Sequence, residues 1–207
     1  LLTLLGSGGS GKTRLALQVA ADLIDEFNNG VWLVELEQLI DPVLLPQTVN
    51  QALRNQEESQ KSPEETLVEF VKDKEMLIIL DNCEHIADAC AHLAENLLKT
   101  SPNLKMIVTS REALKCEGEQ THRLPSLQTP TKKRSYKAEE IMEFESVELF
   151  LERAQAVNPS FSITDENSAV VAGICIDLDG IPLAIELAAA RIKVLSVEKI
   201  YERLSDR

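Results

Sequence analysis

Gly6-Ser7-Gly8-Gly9-Ser10-Gly11-Lys12-Thr13 satisfies the pattern G-x-x-x-x-G-K-[ST] without departure. Each fixed position has a chemical reason. Glycines let backbone N–H groups turn inward into a concave anion nest, where a Cβ would clash or forbid the dihedrals. A helix starting at the same place adds free N–H donors and its positive dipole end. Lys12 supplies a point charge for β- and γ-phosphates, and the Thr13 hydroxyl is a hard oxygen ligand for Mg2+. The loop follows the apolar run Leu1-Leu2-Thr3-Leu4-Leu5 and opens an amphipathic stretch, the strand-to-helix context this chemistry requires. Arg14, just past the loop, is a further candidate for phosphate contact.

Leu77-Ile78-Ile79-Leu80-Asp81 is the natural companion. A carboxylate at the carboxyl end of a buried strand can hold Mg2+ through its water shell, opposite the glycine loop; Asp81 could also serve as a helix N-cap. The position after the aspartate, where many hydrolytic P-loop ATPases place a glutamate that polarises water, is Asn82. An amide cannot accept the proton, so slow hydrolysis is expected. Glu84 is the nearest carboxylate and has two readings, general base or first-turn dipole partner. Ile107-Val108-Thr109-Ser110-Arg111 ends a third strand on a cation. A guanidinium there can fork onto a γ-phosphate or pair at the surface, with Glu112 as the nearest acid. Gly180-Ile181-Pro182 could pack a rigid proline face on a base, although helix punctuation alone also explains it.

These residues need a scaffold, and the hydrophobic pattern supplies one. Short apolar runs at 1–5, 31–36, 76–81, 105–110 and, more faintly, 121–124 alternate with helical patterns, the signature of a parallel sheet covered by helices. Ser62-Pro63-Glu64-Glu65 is a capping box with proline at the first helical position. Asp41-Pro42 offers a similar start, with Pro46 expected to break or shorten that helix. Over 12–27, Ala16, Val19, Ala20, Leu23 and Phe27 form one buried stripe. The stretch 125–145 balances four basic against four acidic residues and reads as a solvated linker. Beyond it, 146–207 is helical throughout. Thr164 is a candidate N-cap, residues 183–192 read as a buried helix, and Ser196 is a candidate cap of a last one. The fold class is therefore α/β: a five-stranded parallel P-loop NTPase sheet with helices on both faces (1–124), a linker (125–145), and a small four-helix lid (146–207).

Composition removes other classes. With 21 basic against 34 acidic residues, the formal charge is −13, which disfavours polyphosphate backbones and anionic membranes as partners. Aromatics at 4% disfavour base stacking. No apolar run approaches the roughly 18 residues of a membrane span. The opening residues lack both an initiator Met and a basic lead-in, so the chain is expected to be an internal piece of a longer protein. Cys83, His85, Cys90 and His92 resemble a metal set, but two residues along a helix turn about 200°, which separates the cysteine stripe from the histidine stripe.

GSGGSGKTRLALQVA, LIILDNCEH, IVTSRE and LDGIPLAIELAAAR, in that order, resemble the STAND class of signal-transduction ATPases. The likeness is to the NB-ARC-like domain of bacterial LuxR-type and antibiotic-regulator-type transcriptional regulators, and it covers almost the whole chain. It implies that the Arg111 strand lies between the P-loop strand and the Asp81 strand. It also implies Arg111 as γ-phosphate sensor and Pro182 as a lid residue near base and ribose. A glycine-arginine motif would precede Leu1 and a winged-helix domain would follow Arg207. The implied function is a cytoplasmic ATP/ADP-binding switch with Mg2+, closed with ADP and self-associating as a homo-oligomer with ATP. Flanking effector and sensor domains of the same polypeptide would carry output, with no nucleic-acid or membrane contact by this part. At most a weak ATPase is expected; the alternative is a turnover ATPase or phosphotransferase. No N-K-x-D guanine motif and no L-S-G-G-Q signature occur.

Overall fold

The computed structural model describes residues 1–55, 60–131 and 136–205. The chain divides into two compact units, Leu1–Gly8 with Lys12–Leu124, and Pro125–Arg207 with Gly9–Gly11.

In the first unit, strands β1 (Leu2–Leu5), β2 (Val31–Glu35), β3 (Leu77–Asp81), β4 (Lys105–Ser110) and β5 (Gln120–Arg123) pair in the order β2-β3-β4-β1-β5. Every pairing is parallel, with Leu5 beside both Ser110 and Arg123, and Leu80 beside Val108. Helices α1 (Lys12–Asp22), α2 (Leu45–Ala52), α3 (Pro63–Val71) and α4 (Ala87–Thr100) connect the strands.

The continuous apolar run in β3 follows from burial on both faces. Leu77 and Ile79 share a cluster with Leu4, Ile107 and Ala16 of α1. Ile78 and Leu80, one residue out of phase, join Val34, Met106, Val108 and residues of α2, α3 and α4. The Arg111 strand does lie between the P-loop strand and the Asp81 strand.

Local signals mostly act as expected. The Ser62 hydroxyl accepts from Glu65 N–H, and Glu65 reaches back to Ser62 N–H. The Ser62 N–H and the Ser62 hydroxyl, which also donates to Glu65 Oε2 at 2.9 Å, hold the Glu65 carboxyl below its ordinary range. The stripe on α1 differs at its end: the helix stops at Asp22 and a 3-10 turn covers Ile24–Glu26. Leu23 is 36% exposed there. Pro46 sits in the first turn of α2 after a 3-10 turn at Pro42–Leu44. It starts a helix instead of breaking one, because its missing N–H is unneeded at that position.

The second unit contains α5 (Ala138–Ile141), α6 (Glu145–Val157), α7 (Ser168–Asp177), α8 (Pro182–Ala189) and α9 (Val197–Ser205). Its core gathers Phe150, Val147, Val171, Ile174, Ile185, Ala189 and Ile200. Part of the expected linker joins that core, since Tyr136 and Ile141 are buried in it. Charge balance across 125–145 hides those side chains; Lys132, Lys133 and Arg134 lie outside the described residues. Helix α7 begins later than Thr164, after Asn167, whose side chain accepts from Thr164 N–H. Helix α8 is not enclosed: Leu183 and Leu187 are 50% and 61% exposed. Among the described residues no helix is long and apolar enough to cross a membrane.

Candidate functional site

The carboxyl ends of β1, β4 and β3 lie side by side in a parallel sheet, so the segments leaving them converge on one edge. This is where open α/β sheets place ligands. From β1 the chain runs through residues 6–13 into α1. Gly9 and Gly11 have φ of +77° and +94°, left-handed values that favour glycine and from which anion nests are built. Lys12 Nζ donates to the carbonyl oxygens of Gly6 at 3.0 Å and Ser7 at 3.1 Å. Gly6 and Ser10 are buried while Ser7, Gly8 and Thr13 are exposed.

Asp81, leaving β3, is gripped from two sides. Thr13 Oγ1 donates to Asp81 Oδ1 at 2.7 Å, and Thr109 Oγ1 of β4 donates to the same oxygen at 2.6 Å. The Thr109 hydroxyl also accepts from Asn82 N–H at 2.9 Å, where Asn82 has φ of +65°. One buried threonine thus fixes both the carboxylate and the turn after it. The hydroxyl and carboxylate of Thr13 and Asp81 form a hard-oxygen pair that suits Mg2+.

Sequence reasoning passes over Thr109. Its hydroxyl at a strand end is visible in Ile107-Val108-Thr109, but only the pairing of β3 with β4 sets it beside Asp81. Thr109→Val keeps the shape and removes the hydroxyl, leaving Asn82 N–H without its acceptor. It is expected to destabilise the first unit by about 1–3 kcal/mol, measured by urea unfolding. An unchanged midpoint would contradict the clamp.

Arg111 follows β4. Its Nε donates to Glu84 Oε1 at 2.8 Å, with side chains 64% and 20% exposed respectively. Its ion-pair partner is therefore Glu84 and not Glu112, whose N–H instead donates to Ser110 Oγ. Glu84 stands in a 3-10 turn, Glu84–Ile86, ahead of α4. Arg14 is exposed on the first turn of α1. Lys12, Thr13, Asp81, Glu84 and Arg111 all belong to the first unit, whereas Pro182 opens α8 in the second.

The cysteine and histidine set does not converge. Cys83 and Cys90 are buried, and the Cys90 side chain together with burial pushes the Cys83 thiol well up. His85 Nε2 lies 2.8 Å from Leu39 O, and His92 Nε2 lies 3.1 Å from Asn96 Nδ2. Among the described residues no group of three or more His, Cys, Asp or Glu could hold a metal ion.

The NB-ARC domain family matches residues 1–146. The Mycobacterium tuberculosis protein named "Putative HTH-type transcriptional regulator Rv0890c" is 40% identical over 206 residues, covering 100% of this chain and 22% of its own length. "Uncharacterized protein Rv0894" from the same organism is 39% identical over 207 residues, covering 100% of this chain and 49% of its own. The chain thus spans about a fifth to a half of these curated relatives. Among solved structures, a STAND protein with a tetratricopeptide repeat sensor from Pyrococcus horikoshii aligns with a TM-score of 0.52 at 18% identity, covering 99% of this chain and 30% of that one. The ORC2 protein of Aeropyrum pernix aligns at 0.57 and 13% identity, covering 99% and 60%. Cdc6p of Pyrobaculum aerophilum aligns at 0.59 and 16%, covering 98% and 56%. At these identities the solved structures share the fold. A family match over most of the chain joins a glycine loop, a strand-end aspartate and a strand-end arginine on one parallel sheet edge, and the chain accordingly belongs to the NB-ARC domain family, with the fold of P-loop NTPases.

Proposed function

We propose that this chain is the ATP/ADP-responsive switch of a multidomain, cytoplasmic transcriptional regulator, with residues 1–124 binding nucleotide, 125–145 connecting and 146–207 acting as a helical lid. The observation that carries the reading is the meeting of Thr13 with Asp81 at 2.7 Å beside the Lys12 loop. In this reading residues 6–13 cradle the phosphates and Lys12 faces the β- and γ-groups, with Arg14 adding a cation beside them. Thr13 and Asp81 would hold Mg2+, which when bound neutralises phosphate charge. Arg111 would report the γ-phosphate, and Pro182 would lie near base and ribose.

A ligand shifts a two-state equilibrium only through contacts that differ between the states. The γ-phosphate meeting Arg111 is such a contact, present with ATP and absent with ADP. Asn82 in place of a glutamate supports slow hydrolysis, so that each state outlasts a binding event. The ATP form would self-associate and the ADP form stay monomeric. Effector and sensor domains elsewhere in the polypeptide would carry the output, without direct nucleic-acid contact by this part. The M. tuberculosis relative's name supports the regulatory setting.

Sedimentation velocity of the full-length protein is expected to show larger species with Mg2+-ATP than with ADP. Equal association in both would overturn the switch. A steady-state rate in the range of roughly 1–100 s−1 usual for kinases would favour a turnover ATPase or phosphotransferase instead.

A further inference from the structure

Glu84 and Arg111 form an ion pair beside the glycine loop, and the geometry of their contact is selective. Glu84 holds Nε, the inner nitrogen of the guanidinium, at 2.8 Å. The outer nitrogens form the fork that matches phosphate oxygens. One of them, Nη2, lies 3.7 Å from where a Cβ on Gly8 would stand, so the fork already overhangs the phosphate loop. Glu84 is only 20% exposed, against 64% for Arg111. The acid is thus the enclosed partner and the cation the exposed one. The second carboxylate oxygen, Oε2, is buried without a hydrogen-bond partner among the described residues, so the side chain is tied through Oε1 to Arg111.

We infer that Glu84 is a positioning residue for Arg111: by gripping Nε it aims the two terminal nitrogens at the loop, and so sets the preference for a nucleoside triphosphate over a diphosphate without touching nucleotide. An arginine held by its inner nitrogen surrenders less side-chain freedom when its fork closes on a phosphate, and that saving appears only in the triphosphate complex. The inference rests on Arg111 facing the γ-phosphate. It assigns Glu84 the role of orienting a cation, in place of accepting a proton from water.

The test uses the full-length protein and the ratio of dissociation constants for Mg2+-ADP and the non-hydrolysable triphosphate AMP-PNP, measured by calorimetry. Arg111→Ala is expected to lower the triphosphate preference by about tenfold or more, the loss of a charged hydrogen bond. Glu84→Ala should lower it by about three- to tenfold, and the double variant no further than Arg111→Ala alone. Glu84→Gln, whose amide oxygen can still accept from Nε, should keep most of the preference. Should Glu84→Ala fail to fold, Glu84→Asp, one methylene shorter, carries the same expectation. A normal ratio in Glu84→Ala beside a reduced one in Arg111→Ala would overturn the inference and leave the sensor role standing. An unchanged ratio in Arg111→Ala would remove the sensor role and the inference together. Loss of single-turnover hydrolysis in Glu84→Gln with an intact ratio would make Glu84 the base and also overturn it.

Discussion

Lys12→Ala is expected to lose triphosphate binding by at least about 100-fold while the fold survives. Its ammonium is the cation of the glycine loop, held 3.0 Å from Gly6 O and 3.1 Å from Ser7 O. Hydrogen bonds to charged groups are worth about 1.5–3 kcal/mol each, and the lysine can offer more than one to the phosphates. The fold should tolerate the change. Lys12 begins α1 and is half-buried, its contacts are with loop carbonyls, and alanine is the best helix former. Calorimetric titration of ATP and ADP, with and without Mg2+, measures the loss, and far-UV circular dichroism checks the fold. Wild-type affinity in this variant would mean that the loop does not cradle phosphate.

The largest effect on stability is expected in the helical unit, at Gly180. The residue has φ of +64°, and a Cβ there would stand 2.2 Å from the backbone oxygen of Leu127 and 3.1 Å from Thr129 Cγ2. The same backbone makes a hydrogen bond, Leu127 N–H to Gly180 O at 3.0 Å, so neither segment can retreat without breaking it. Left-handed backbone costs a side chain about 1–2 kcal/mol, and overpacking about 1–3 kcal/mol more. Gly180→Val should therefore destabilise the helical unit by roughly 2–5 kcal/mol. Trp32, the one tryptophan, lies in β2 of the other unit. Its fluorescence midpoint in urea should hold while the helical ellipticity melts earlier. An unchanged ellipticity profile would contradict the steric reading.

The sheet was legible because its central strands are buried on two faces, which writes burial into the sequence as an uninterrupted apolar run. Leu77-Ile78-Ile79-Leu80 needs no partner to be recognised. β5 is the opposite case: Gln120–Arg123 is exposed at every residue, so its register comes from backbone pairing with β1, which leaves little trace in side-chain type. The glycine loop and Asp81 were legible because their chemistry fixes residue type. Thr109 and the Glu84–Arg111 pair were not, since both contacts join residues 28 and 27 positions apart that meet only because β3 pairs with β4. In the helical unit, composition misled in two directions. An almost wholly apolar α8 implied full burial, yet Leu183 and Leu187 are half exposed or more. A charge-balanced connection implied solvation, yet Tyr136 and Ile141 are core residues.

Asn82 sets a limit on how this sequence can change. Its φ of +65° lies in the region that asparagine tolerates because its short amide can bond locally, and that longer side chains enter at a cost of about 1–2 kcal/mol. A single mutation to glutamate, the residue that would quicken turnover, would meet a backbone already locked by the hydroxyl of Thr109. In the proposed switch a slow clock would thereby be written into a dihedral angle, and a lineage seeking a faster one would have to rebuild the turn before it could recruit the acid.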